Sequence, residues 1–217
     1  MRSSWLHPPA PSFAAELTWV WISNDGKGFV QTESGLSFIP WGINYDADGR
    51  LLEDYWAIFC YDLMNEPVVP SGDRKRDEWL GTGFGYKHFV QFIALERKRR
   101  NRPDVARDWI RTLTTPIRRH DKRHLITVGL VPWGLDRLGM TSGFDPEKIA
   151  DDLDFIAMHI YPEKGKIDAA IETVKGFAAV GKPVVIEETF VLKCGGDELD
   201  AFIDRSQEHA TGWIGCY

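Results

Sequence analysis

The chain has 217 residues, 43% of them hydrophobic, which suffices for one well-buried core. A net charge of -6 and a pI near 5.5 argue against nucleic acid or an anionic membrane as main partner, because each needs a positive surface field. No apolar run reaches the roughly 18 residues of a membrane span, and His7, Pro8, Pro9 and Pro11 interrupt the apolar core that a signal peptide requires.

Residues 1–28, rich in proline and aromatics, read as a lead-in segment, and residues 29–217 as one domain. From residue 29 onward, short apolar runs alternate with amphipathic stretches, the pattern of a parallel β/α fold. The strand-like runs are 37–44, 57–63, 124–130, 155–160, 183–186 and 212–216, and their continuous hydrophobicity fits strands covered on both faces. Val105, Trp109 and Leu113 mark one helix, opened by Pro103 and Asp104. Ile167, Ile171, Val174 and Ala178 mark another that ends near Gly181, and Leu199, Phe202 and Ile203 a third, capped by Asp197. The basic run Glu96–Arg102 follows apolar positions Tyr86, Phe89, Val90 and Ile93 and reads as a solvated helix end. Cys60, Cys194 and Cys216 are odd in number and widely spaced, so they suggest neither a disulfide framework nor a metal site.

Polar and ionisable residues gather where these strands end: Asn44, Asn65 with Glu66, Trp133, His159 with Tyr161, and Glu187 with Glu188. A β/α barrel builds its active site at those ends. Glycosidic cleavage needs one carboxylic acid to protonate the leaving oxygen and a carboxylate to attack the anomeric carbon, and Glu66 and Glu188 are the candidates. Asn65 supplies an amide suited to a sugar 2-hydroxyl, and Tyr161 a hydroxyl able to orient a carboxylate. His159 taken alone reads first as a satisfied core histidine, and Trp133 as either a stacking platform or a loop-packing residue. Because side chains alternate along a strand, only one of Glu187 and Glu188 is expected to reach the mouth.

The runs FIPWGINYDADGRLLEDYW, AIFCYDLMNEPVVP, HLITVG, HIYP, KPVVIEETF and GWIGCY, spread over residues 28–217, resemble glycoside hydrolase family 5, the (β/α)8 cellulase and mannanase group of clan A. The resemblance implies a TIM-barrel type α/β fold, Glu66 as acid/base, Glu188 rather than Glu187 as nucleophile, and His159 and Tyr161 as the His-x-Tyr of strand six. With Asn65 and Trp133 these form the expected substrate site for an oligo- or polysaccharide, cleaved with retention and without metal or organic cofactor. The family's arginine ending strand two, its histidine after strand three and its tryptophan after strand eight have no counterpart. A catalytically inactive carbohydrate-binding remnant is therefore the alternative reading.

Between Asn44 and Asn65 lie only the 20 residues 45–64, where two more strands and their helices would normally intervene. Each parallel crossover takes at least about 10–12 residues. A deletion near residues 56–57 is thus expected, leaving about six of the eight barrel strands and an open edge between strands one and four.

Overall fold

The computed structural model describes residues 18–44, 59–72, 91–135 and 142–216. It begins with an antiparallel meander, β1 (Val20–Ile22), β2 (Phe29–Gln31) and β3 (Ser37–Phe38). Strands β4 (Trp41–Asn44) and β5 (Cys60–Asn65) follow, then the short parallel pair β6 (Pro67–Val68) and β7 (Gln91–Phe92). Helix α1 (Arg102–His120) leads to β8 (Leu125–Leu130), α2 (Pro146–Ile149) to β9 (Ile156–His159), α3 (Ile167–Ala178) to β10 (Val184–Thr189), and α4 (Gly196–Ser206) to β11 (Gly212–Cys216).

Strand–helix alternation forces neighbouring strands to run parallel, since each helix carries the chain back to the starting end of the sheet. The result is a parallel sheet of six strands in the order β4-β11-β10-β9-β8-β5. The first strand of this sheet pairs with the last, as in a barrel that closes on itself. β4 and β5 remain at the two edges, and no ladder joins them among the described residues. The suspected junction at 56–57 lies outside those residues. No helix among the described residues is long and apolar enough to cross a membrane.

The alternation of side chains sorts the sheet into two faces. Val128, Leu130, Ile156, Met158, Val184 and Ile186 point toward the helices and share a core with Ile110 of α1, Val174 and Phe177 of α3 and Phe202 of α4. Leu125, Phe155, Ala157 and Val185 point to the concave face, where they meet Phe29 of the meander. Phe29 packs edge-on against Phe59 at 5.2 Å and Phe155 at 5.4 Å, so the meander forms an apolar floor under the amino-terminal ends of the strands.

Several local expectations are corrected. The run 37–44 is split at Pro40, which cannot donate to a ladder, so that Ser37 and Phe38 join the meander while Trp41–Asn44 join the parallel sheet. The strand expected at 57–63 occupies 60–65. Tyr86, Phe89 and Val90 lie outside the described residues, but Gln91–Phe92 is a strand, and the basic run after it is a turn rather than a helix end. Lys98 (φ 49°) and Arg99 (φ 64°) take left-handed conformations there, while Arg97 and Arg102 donate to the carbonyls of Ser71 and Val69. Helix α4 is capped by Gly195, not Asp197, because the Glu198 carboxylate accepts the amides of both Gly195 (3.3 Å) and Gly165 (2.8 Å) and draws the start two residues earlier. Residues 20–31 form the β1–β2 hairpin.

Phe29→Ala should remove the aromatic that ties meander to sheet and lower stability by about 3–5 kcal/mol, read as a shift of the urea midpoint.

Candidate active site

On the concave face the apolar floor gives way, one layer further along the strands, to a polar layer. The two-residue period that places Leu125 inward places Thr127 and Gly129 inward too; in β9 it places Ala157 and then His159 inward, and in β10 Val185 and then Glu187. Asp62 of β5 stands in register with Thr127, and its carboxylate Oδ1 accepts the Gly129 amide at 2.7 Å and the Met64 amide at 3.3 Å.

Two bulges then bring further carboxylates to the same place. In β10, Ile186 faces Met158 while Glu188 already faces His159, so Glu187 is an extra residue in the strand. Regular alternation would have turned Glu188 away from the concave face; the bulge resets it. This corrects the expectation that only one of the two glutamates reaches the mouth: both approach His159. In β5 the register slips between Asp62 and Asn65, and Glu66 follows with φ 48°. A left-handed glutamate, a conformation costing roughly 1–2 kcal/mol, is held there by its amide donating to the Gly129 carbonyl (2.9 Å) and its carbonyl accepting the Gln91 amide (3.2 Å).

His159, its side chain only 3% exposed, is the centre of the arrangement. Its Nδ1 lies 3.1 Å from Glu66 Oε1 and 3.3 Å from Glu188 Oε2, and its Nε2 lies 3.9 Å from Glu187 Oε2. The Tyr161 hydroxyl donates to Glu188 Oε1. Gly129 makes the arrangement possible, since a Cβ there would come within 2.7 Å of His159 Nε2 and 3.2 Å of Asp62 Oδ2.

Burial by itself would push the His159 imidazolium down. The Glu187 carboxylate near Nε2, the hydrogen bond to Glu66 and the charge of Glu188 outweigh it and raise the group to about 10, so the ring is a cation at neutral pH. Asp62 is crowded by protein on one side and open to water on the other; the crowding, and then the Glu187 charge, raise its carboxyl to about 6. One oxygen each of Glu66 and Glu188 and a ring nitrogen of His159 lie within 4.8 Å of one another. These three atoms could also hold a metal ion, which would require the neutral imidazole.

Of the residues expected from sequence, Glu66, Glu188, His159 and Tyr161 come together. Asn65 sits beside them as the last, exposed residue of β5. Trp133 stands apart on a short 3-10 turn after β8, 37% exposed at the same end of the sheet. Asp62 and Gly129 were missed, and Glu187 was named only as the alternative to Glu188. Asp62 carried a signal, a charge inside the otherwise apolar run AIFCYDL, whereas Gly129 and the bulge at Glu187 carry none without the paired strands.

By sequence, the chain matches no family model and no curated protein. By structure, it resembles the endo-1,4-beta-mannanase from Rhizomucor miehei at 17% identity and a TM-score of 0.50, over 89% of this chain and 49% of that one. The endo-beta-1,4-mannanase from Thermotoga petrophila is matched at 18% identity and a TM-score of 0.42, over 58% of this chain and 33% of that one. The chain thus spans about half the length of the Rhizomucor enzyme, and its fold is α/β and like that of a glycoside hydrolase.

Gly129→Ala would bring a Cβ within 2.7 Å of His159 Nε2 and should displace the ring and destabilise the chain by about 1–3 kcal/mol in urea unfolding. The charge of His159 also sets a pH dependence. A histidine raised from 6.5 to about 10 on folding contributes stability that is full below pH 6.5 and is lost as pH rises toward 10. The urea midpoint should therefore fall across that window, with a shallower slope in His159→Gln.

Proposed function

We propose that this chain is a retaining glycoside hydrolase acting on a β-linked polysaccharide, with mannan the first substrate to test. The observation that carries the reading is the meeting of Glu66 and Glu188, from two different strands, with carboxylate oxygens within 4.8 Å of one another. Retaining pairs are separated by about 5–5.5 Å and inverting pairs by about 6.5–9.5 Å, because inversion must fit a water between sugar and base.

In this reading Glu66 protonates the departing oxygen while Glu188 attacks the anomeric carbon, and Glu66 then takes the proton from the water that releases the sugar. The Tyr161 hydroxyl, donating to Glu188, orients the nucleophile through the oxygen that is not attacking. The His159 cation lies against both glutamates and offsets their mutual repulsion. Asn65 is suited to the sugar 2-hydroxyl, and the exposed Trp133 ring offers a platform for a sugar further along the chain.

A carbohydrate-binding remnant without turnover is the second reading, favoured by the two sheet edges, β4 and β5, that no ladder joins among the described residues. The two are separated by kinetics on chromogenic β-glycosides. Glu188→Ala should lose at least about a thousandfold in kcat, with azide restoring turnover of an activated substrate as the inverted glycosyl azide. Glu66→Ala should slow substrates with poor leaving groups far more than those with good ones. Saturable sugar binding with no product from the unaltered chain would favour the remnant.

A further inference from the structure

The two-glutamate scheme does not use Glu187, yet regular strand alternation, not the bulge, directs this residue inward. It occupies the layer of Asp62, Gly129 and His159, with its side chain 14% exposed and Oε2 3.9 Å from His159 Nε2. The groups facing the ring divide into two sets. Glu66, at the end of β5, and Glu188 of β10 face Nδ1. Glu187 of β10 faces Nε2, where Asp62 of β5 also approaches across Gly129 of β8. Two residues past the end of β9, the Tyr161 hydroxyl donates to Glu188.

We propose that Glu187 is a positioning residue: its charge, 3.9 Å from Nε2, keeps that nitrogen protonated and so holds the ring as a cation between Glu66 and Glu188. Its consequence for turnover rests on the glycosidase reading; the contact itself does not. An imidazole has two nitrogens, and its neutral form carries one proton. Without the Glu187 charge the second proton leaves at lower pH, and the neutral ring no longer offsets the repulsion between the two carboxylates at Nδ1. With Glu187 in place both nitrogens stay protonated and one ring bridges acid/base and nucleophile.

The full chain, labelled with 15N-histidine and titrated by NMR, reads this directly for His159, assigned by His159→Gln. In the unaltered chain both ring nitrogens should stay protonated beyond about pH 8, well above the ordinary midpoint near 6.5. In Glu187→Gln, which keeps shape and removes charge, the midpoint should fall by at least about one pH unit, and Glu187→Asp should recover most of that shift. On a glycoside, the basic limb of the kcat/KM profile should move to lower pH in Glu187→Gln and return in Glu187→Asp, an effect that simple loss of stability does not produce. Equal His159 midpoints in the unaltered chain and Glu187→Gln would overturn the proposal, and so would an ordinary midpoint near 6.5 in the unaltered chain, a result that does not depend on Glu187→Gln folding. If the unaltered chain cleaves no glycoside, the glycosidase reading fails while the titration still decides the role of Glu187.

Discussion

A buried imidazolium persists only where negative charge surrounds it, because removing a cation from water costs several kcal/mol unless partners replace the lost hydration. In this chain the partners are Glu66, Glu187 and Glu188, drawn from two strands that are not neighbours in the sheet. The reverse also holds: three carboxylates crowded on one side of a sheet repel one another unless a cation lies among them. Each half of this cluster therefore depends on the other, and strand order, bulges and glycine placement all serve to bring the two halves together.

The backbone departures fall where that meeting takes place. An extra residue in β10 turns Glu188 toward the ring, an irregular register in β5 precedes Glu66, and Glu66 itself is left-handed. Regular strands would place alternate residues on opposite faces and could not present Glu187 and Glu188 together. Gly129 supplies the remaining volume: it is the one inward position of β8 at that level, and any side chain there would compete with His159 for space. The positive φ of Glu66 is sustained because its amide and carbonyl are both bonded, to β8 and to β7.

Below the charged layer the same concave face is apolar, with Leu125, Phe155, Ala157 and Val185 closed off by Phe29 of the meander. That division along one face buries a core on both sides of the sheet: helices cover one side, and the meander covers the lower part of the other. The upper part opens to solvent at β5, where Asp62 is exposed, so the carboxylates stand at an open mouth with a hydrophobic floor beneath them.

Apolar runs alternating with amphipathic helices determined the parallel α/β arrangement, since a strand buried on both faces must be hydrophobic throughout and a covering helix on one stripe only. The same logic placed Glu66, His159, Tyr161 and Glu188 at strand ends, because a polar residue closing an apolar run marks where the strand leaves the core. Local sequence could not determine what depends on two strands at once. The run 37–44 divides between two sheets because Pro40 and the partners on either side decide its pairing. The start of α4 depends on a Glu198 carboxylate that also serves Gly165, a residue more than thirty positions away. That Glu187 and Glu188 both face His159 is a property of the register between β9 and β10, and a register exists only once two strands have paired.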